Sequence, residues 1–305
     1  MDAWTERSFS GNITAGVDFM DNVAVQISDY KFDVEQRIIL SILSGIFSMK
    51  ADKNSAAGKA ASEFLKHHVY DISNENGEDA YVAVDTLNKA IQKACGDNKN
   101  LFKLVIMNSA VAARLENLKL IKFMTQTDEN GIERDLELGT WNGRLVLVDD
   151  NLPVNYVGAN YTKTTDTEFD FTKEYFEKIG DDYVAVDYSD GDPKELGYYE
   201  KTGTDEPVYT TYVLGENSII LDNIGDRVPY EMYRDPKTNG GEDTLYVRDR
   251  YICGVDGISF EKPAAITASA ANSDLSNGEN WQIINDGVSA VPHKSIAICK
   301  IISKG

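Results

Sequence analysis

The sequence predicts an α+β protein, and three stretches carry that prediction. Residues 17–47 place apolar side chains at helical spacing with no internal proline, residues 101–153 read as strand, helix and hairpin, and residues 226–255 read as two extended strands around a polar tip. The middle stretch is the one around which the rest of the chain is expected to pack.

In the first stretch Met20, Val23, Ala24, Ile27, Tyr30, Val34, Ile38, Ile42 and Ile46 recur with a helix period. At 1.5 Å per residue they predict a rod about 45 Å long. Residues 50–58 are polar and alanine-rich, predicting a loop, and a short helical patch covers 59–68. Asp85 is placed to cap a helix through Leu87, Ala90, Ile91 and Ala94, with Gly96 as its stop.

Residues 102–107 (FKLVIM) have the length and apolar character of a strand, and Asn108-Ser109 supply side-chain oxygens where a helix should begin, Ser109 reading as a cap. Val111, Leu115, Leu118 and Ile121 then recur at helical spacing. Asn130-Gly131 and Asn142-Gly143 tolerate the positive φ of tight hairpin turns. A strand over 145–148 runs into Asp149, Asp150 and Pro153, which end it.

From 156 to 211 tyrosine, threonine and acidic residues dominate, with turn signals at Gly180-Asp181-Asp182 and Asp190-Gly191-Asp192-Pro193. This predicts a surface insertion with short strands over 183–187 and 207–214. Strands follow over 226–233 and 244–255. A small polar connection covers 266–276, Trp281 and Ile283 begin another strand, and 293–302 closes the chain as a buried strand. No internal repeat is visible.

At 305 residues and 33.8 kDa, with 42% hydrophobic residues, the chain has ample material for a packed core. A net charge of -20 and a pI near 4.5 argue against a tight grip on nucleic acid or an anionic membrane. The opening MDAWTERSFSGN lacks the charged-then-apolar pattern of a signal, and no apolar run reaches membrane-spanning length. Cys95, Cys253 and Cys299 are odd in number and far apart, fitting a reducing compartment better than a disulfide framework.

The candidates for chemistry are weak. His67 and His68 are adjacent and point about 100° apart on a helix, so they cannot chelate as an i, i+4 pair could; they read as an ordinary, partly exposed pair. Asp149 and Asp150 stand at a strand end, where catalytic acids often sit, yet no phosphate loop or nucleophile motif accompanies them. In a calcium-loop reading of Asp235 to Gly240, Lys237 takes a ligand position and Tyr246 stands where a bidentate Glu is required, so a mobile subunit-contact loop fits better. Its Arg234, Asp235, Lys237, Glu242 and Asp243 would suit charge pairing with a neighbour. Cys95 lies near a helix end and Cys253 and Cys299 in apolar strands, where cysteine behaves as a small hydrophobe. No catalytic residue, cofactor or metal site is assigned.

The run IMNSAVAARLENLKLI followed by NGIERDLELGTWNGRLVLVDDNLP resembles the axial domain of tailed-bacteriophage major capsid (coat) proteins of the Hong Kong 97 type. Gly143, Val146, Val148, Asp149, Asp150, Leu152 and Pro153 match the family's strand-end pattern G-x-x-V-x-V-D-D-x-[ML]-P. The passages TYVLGENSIILDNIGDRVPYEMYRDPKTNGGEDTLYVRDRYICGVDGISF and KSIAICKIISKG agree, leaving a gap between about 154 and 208. The resemblance implies a Hong Kong 97 phage capsid-like fold. Its peripheral domain would span 1–70 (spine helix 17–50) and the long strands of 222–256. Its axial α/β domain would span 71–221, with an insertion at about 156–208, and 257–305.

It further implies a structural virion subunit, made in the host cytoplasm, that self-assembles as pentamers and hexamers into an icosahedral shell. Scaffold, protease and portal proteins would be its partners, and dsDNA would be contained without sequence-specific binding. Family members carry an N-terminal arm and an extended loop before the spine helix; here only residues 1–16 precede it, with Ala3, Trp4 and Phe9 resembling the strand that returns from that loop. A shortened chain or a degenerate prophage copy, monomeric or a small oligomer in isolation, is the expectation. The rivals are a metal-assisted phosphoryl enzyme using Asp149 and Asp150, and a glycan-binding virion accessory acting through the tyrosine-rich insertion.

Overall fold

The apolar rod near the start of the chain folds as one unbroken helix. In the computed structural model residues 2–7, 19–52, 55–75, 77–127, 133–157, 160–163, 175–179, 182–185, 199–202, 206–264 and 269–305 are described. The Asn130-Gly131 and Asp190-Gly191-Asp192-Pro193 turns, Phe9, and the side chains of Met20, Val23 and Ala24 lie outside the described residues. Strand β1 (Asp2–Arg7) is followed by helix α1 (Phe19–Phe47), whose 29 residues span about 44 Å. Ser48 closes it in a tighter turn, its N–H donating to Gly45 O at 3.1 Å.

Helix α2 (Ala56–His68) begins within the expected loop, because Ser55 Oγ accepts from the Gly58 N–H at 3.0 Å and caps it. The three-residue β2 (Val69–Asp71) follows. Helix α3 (Thr86–Cys95) ends as predicted at Gly96, at φ 63. Its start differs: Asp85 makes no capping bond and its carboxylate instead pairs with Lys89 one turn on.

Strand β3 (Phe102–Met107) leads into α4 (Ser109–Asn117), capped by Asn108 Oδ1 accepting from the Ala110 N–H at 3.0 Å; Ser109 is the first helical residue and not the cap. The helix is shorter than the apolar spacing implied. Leu118 is exposed and Lys119 turns to φ 57, so Ile121 already belongs to β4 (Ile121–Thr127). Strands β5 (Glu133–Trp141) and β6 (Arg144–Val148) are joined through Asn142 and Gly143, at φ 49 and 77, the two positive values a two-residue hairpin needs.

Strands β7 (Val154–Val157), β8 (Asn160–Lys163), β9 (Tyr175–Ile179), β10 (Asp182–Ala185) and β11 (Tyr199–Thr202) fill the tyrosine-rich region, and β8 to β11 form their own sheet in the order β10-β9-β11-β8. The next strand corrects the reading of 207–214 as part of a surface insertion. β12 (Glu206–Gly215) lies in the middle of the main sheet, with Val208, Tyr212, Val213 and Leu214 buried. The main sheet runs β2-β19-β12-β3-β6-β5-β4, closing with β19 (Ile298–Ser303), and β7 adds beside β12. β3 and β6 are parallel, as are β19 and β2; the remaining pairs are antiparallel.

Both faces of this sheet are covered. Val105, Met107, Val213, Cys299 and Ile301 point to one side and pack with Leu87, Ile91, Val111 and Leu115 of α3 and α4. Ile106, Tyr212, Leu214 and Ile298 point to the other and pack with Ile42, Leu43 and Ile46 of α1 and Phe64 of α2. Near-continuous apolar runs such as IAICKII follow from that arrangement, since alternate residues meet different helix layers.

The second half of the chain builds two smaller sheets. The expected strand over 244–255 is two strands: β15 (Glu242–Val247) pairs with β1 and β14 (Tyr230–Asp235), while β16 (Tyr251–Val255) pairs with β13 (Ile219–Asn223) and β17 (Ile258–Phe260). β18 (Trp281–Ile283) completes the second of these sheets, and the short helix α5 (Asn272–Ser276) precedes it. Residues 293–295 form a 3₁₀ turn, so the closing strand starts later than predicted. Ile27, near the start of α1, packs with Leu245 and Val247 against Trp4, so one helix enters two separate cores.

The C-terminal end of α1 packs backbone to backbone on the α5 segment. A Cβ on Gly45 would collide with the Leu275 carbonyl and the Trp281 indole, whose Nε1–H donates to Leu275 O at 2.7 Å. A helix-interior Gly→Ala ordinarily stabilises by about 1 kcal/mol. Here Gly45→Ala is expected to destabilise by about 1–3 kcal/mol through overpacking, read as a lower denaturant midpoint; a gain would refute the close packing.

Candidate functional site

The strongest enzymatic candidates, Asp149 and Asp150, leave β6 beside the start of α4. Asp149 is buried, its Oδ1 accepting from the Asn151 N–H at 2.9 Å and its Oδ2 from Gln36 Nε2 on α1. Its own N–H donates to Met107 O at 2.9 Å, continuing the β3–β6 ladder. Asp150 Oδ1 accepts from the Ser109 N–H at 2.9 Å, at the N-terminus of α4. The Ser109 side chain, with that backbone bond, holds the Asp150 carboxyl below the usual carboxylate range. The two acids therefore serve different helices.

The tip of the β14–β15 hairpin also consumes its carboxylates. Asp235 accepts from the Lys237 N–H at 2.9 Å and from Thr238 Oγ1 at 2.6 Å; the Thr238 bond, then the backbone bond, lowers its pKa. Arg234 pairs with Asp243 directly across the hairpin at 2.9 Å. The expected charge pairing with a neighbour is, for these two side chains, pairing within the chain. Cys95 and Cys299 are buried, and burial pushes the Cys95 thiol up to about 11 and the Cys299 thiol up too, which disfavours the thiolate. Cys253 is exposed, although an apolar strand environment was expected.

The histidines depart furthest from expectation. His68 is buried and not partly exposed: its ring stacks on Phe64 at 4.3 Å and its Nδ1 donates to Ile298 O at 2.7 Å. Burial lowers its pKa to about 4. His67 turns outward and stacks on His293 at 4.7 Å, with Glu63 alongside. Glu63 and His67 were legible as an i, i+4 pair on a helix; the arrival of His293 was not.

Two further features concern surfaces. Among the described residues β14 is an edge strand, and Tyr230, Met232 and Tyr233 on it are 55%, 59% and 58% exposed. Met232 pairs with Leu245 and Tyr230 with Val247, so the apolar face that α1 covers over β15 continues onto β14, where Lys31 of α1 reaches over the Tyr230 ring at 4.8 Å and Met232 stays exposed; Tyr233 points to the opposite face. Under α1 lies a cleft of about 1050 Å³, lined in part by Trp4, Ile27, Ile38, Phe260 and Leu275, in which Lys31 and Asp249 pair at 3.1 Å. No helix of the described residues is long and apolar enough to cross a membrane.

No family model matches the chain. It is 23% identical over 284 residues to the "Major capsid protein" of Bacillus phage SPP1, an alignment covering 93% of this chain and 66% of that protein. The resemblance to tailed-phage major capsid proteins is thereby borne out along nearly the whole sequence. Two solved structures are also similar: the acid-stable capsid of Helicobacter pylori bacteriophage KHP30 (TM-score 0.43, 12% identity) and the head of bacteriophage KHP40 (TM-score 0.40, 10% identity). Each match covers 99% of this chain and 73% of the other.

The Asp150 contact has a pH signature. Because the folded pKa lies below the unfolded value of about 3.9, its stabilisation is present above that value and lost as pH falls through the folded one. Asp150→Asn is expected to lower the unfolding midpoint at neutral pH and to converge with the unsubstituted chain in acid. A pH-independent difference would remove the carboxylate from this role.

Proposed function

We propose that this chain is the major capsid subunit of a tailed phage or prophage, a structural protein of Hong Kong 97 type that assembles with itself into an icosahedral shell. One observation carries the reading: the alignment with a phage major capsid protein runs over 93% of the chain, too long an ordered match for a shared local motif. The chain spans 66% of that relative's length, so the activities and partners of the whole relative come to it only as part of this proposal.

On this reading residues 1–70 and 222–256 make the peripheral domain and 71–221 and 257–305 the axial domain, with 156–208 as an insertion. The separate core of Trp4, Ile27, Leu245 and Val247 supports the peripheral unit; α2 packs on the main sheet, and β16 pairs with β17 across the boundary at 256. The subunit acts through geometry: pentamers and hexamers place it beside fivefold and sixfold centres, and many modest contacts sum to a stable shell. The exposed edge strand β14, with Met232, is the contact we assign to a neighbouring copy, because an edge strand with apolar side chains pairs readily with another chain. A net charge of -20 suits a wall that contains dsDNA without holding it. Scaffold, protease and portal proteins are the partners such assembly would use, with synthesis in the host cytoplasm and residence in the virion. The hydrogen bonds that occupy Asp149 and Asp150 support a non-enzymatic role over the phosphoryl-transfer alternative.

In the phage or prophage that encodes the chain, Met232→Glu is expected to cut particle yield at least tenfold. Exposed positions of this kind change fold stability by only about 0.5 kcal/mol, so the purified chain should keep its unfolding midpoint. Mass spectrometry of purified unsubstituted particles should find this chain as the most abundant protein. Particles that lack it would overturn the reading.

A further inference from the structure

The chain has three histidines, and all three meet at one place. Glu63 and His67, four residues apart, share one face of α2, and the 3₁₀ turn His293–Ser295 brings His293 against that face. One donor atom from each of Glu63, His67 and His293 lies within 4.8 Å of the other two.

His68, behind them, decides which nitrogen of His293 carries hydrogen. A carbonyl oxygen only accepts, so the His68 Nδ1 that lies 2.7 Å from Ile298 O bears the proton. In the neutral ring its Nε2 is then an acceptor, matched by a hydrogen on His293 Nδ1, 3.2 Å away; the Ala94 carbonyl also accepts from the His293 ring. In that tautomer His293 Nε2 carries a lone pair facing Glu63 Oε1 at 3.8 Å. A nitrogen lone pair and a carboxylate oxygen face each other, with the His67 ring stacked at 4.7 Å and 15° alongside. A single proton serves this arrangement poorly, because 3.8 Å exceeds the reach of a charge-assisted hydrogen bond and a third donor would stay unmatched. A cation that takes several ligands matches all three donors.

We propose that Glu63, His67 and His293 bind one divalent transition-metal ion of the Zn²⁺ class, with His68 as the positioning residue that fixes the His293 tautomer. Two imidazoles and one carboxylate suit Zn²⁺, and compete poorly for Mg²⁺ or Ca²⁺, which take all-oxygen sets. Ligands about 2.0–2.1 Å from a tetrahedral ion stand about 3.4 Å apart, so binding needs the exposed Glu63 side chain to close and the His67 ring to rotate out of its 15° stack on His293, bringing both in-plane lone pairs onto the ion. The His68 bond is the outer contact by which metal-ligating histidines are usually oriented. Solvent would take the fourth position. The ion would tie α2 to the segment that enters β19, joining parts of the chain 225 residues apart in sequence.

The test uses the untagged full chain, freed of metal with a chelator. Titration calorimetry is expected to show one Zn²⁺ per chain, Co²⁺ to give the visible absorption of a tetrahedral site, and excess Zn²⁺ to raise the melting midpoint by several degrees while Mg²⁺ does not. The Glu63→Gln/His67→Gln double variant, altered only at positions that are not buried, should keep its circular dichroism spectrum and lose the Co²⁺ band with at least a hundredfold of Zn²⁺ affinity. His68→Gln should still bind, about 10–100-fold more weakly. The proposal is overturned if the unsubstituted chain binds no Zn²⁺, or if the double variant binds it unchanged.

Discussion

The structure depends on one constraint: the strands at the centre of the main sheet are apolar on both faces, so both faces must be covered. Val213 and Tyr212 are neighbours in β12 and belong to different cores, as do Met107 and Ile106 in β3. Helices α3 and α4 serve one face; α2 and the second half of α1 serve the other. Helix α1 is too long to be used up there, and its first half carries Ile27 into a separate core. Covering that residue requires a second apolar surface, which β1 and β15 supply through Trp4, Leu245 and Val247. The two-core arrangement is thus a consequence of one helix exceeding the sheet it braces.

The polar groups nearest this framework are occupied in holding it. Asp149 ties the end of β6 to α1, Asp150 meets the N-terminus of α4, and Asp235 with Arg234 and Asp243 closes the β14–β15 hairpin. A carboxylate already held by hydrogen bonds from its own chain is poorly placed to take protons or metal from a substrate. What the fold leaves available is surface, above all the exposed edge strand β14, and surface is what a self-assembling subunit needs. The histidine cluster sits at a seam between two segments of the chain, α2 and the turn that enters β19.

Local signals were read reliably where local physics suffices. Residues 17–47 hold a helix period and form α1, FKLVIM forms β3 with the predicted bounds, Gly96 stops α3, and Asn142-Gly143 makes the hairpin turn. Errors arose where two local readings compete. Leu118 and Ile121 extend a helical period by chance across a helix end, and Ser55 caps α2 inside a segment whose composition resembles a loop. The strand expected over 244–255 breaks because its halves pair in different sheets, a decision made by β1 and β13 and invisible in the segment itself.

By itself the sequence determined the element types, the long brace, the hairpin turn and the likeness to capsid subunits, because periodicity, turn chemistry and ordered motifs act over a few residues at a time. Only the tertiary structure decided that 206–215 is a central strand and not surface, that Asp149 and Asp150 serve two different helices, and that His293 arrives beside Glu63 and His67. These depend on contacts between residues far apart in the chain. Such contacts are set by which apolar faces must be covered at once, and no single segment carries that information.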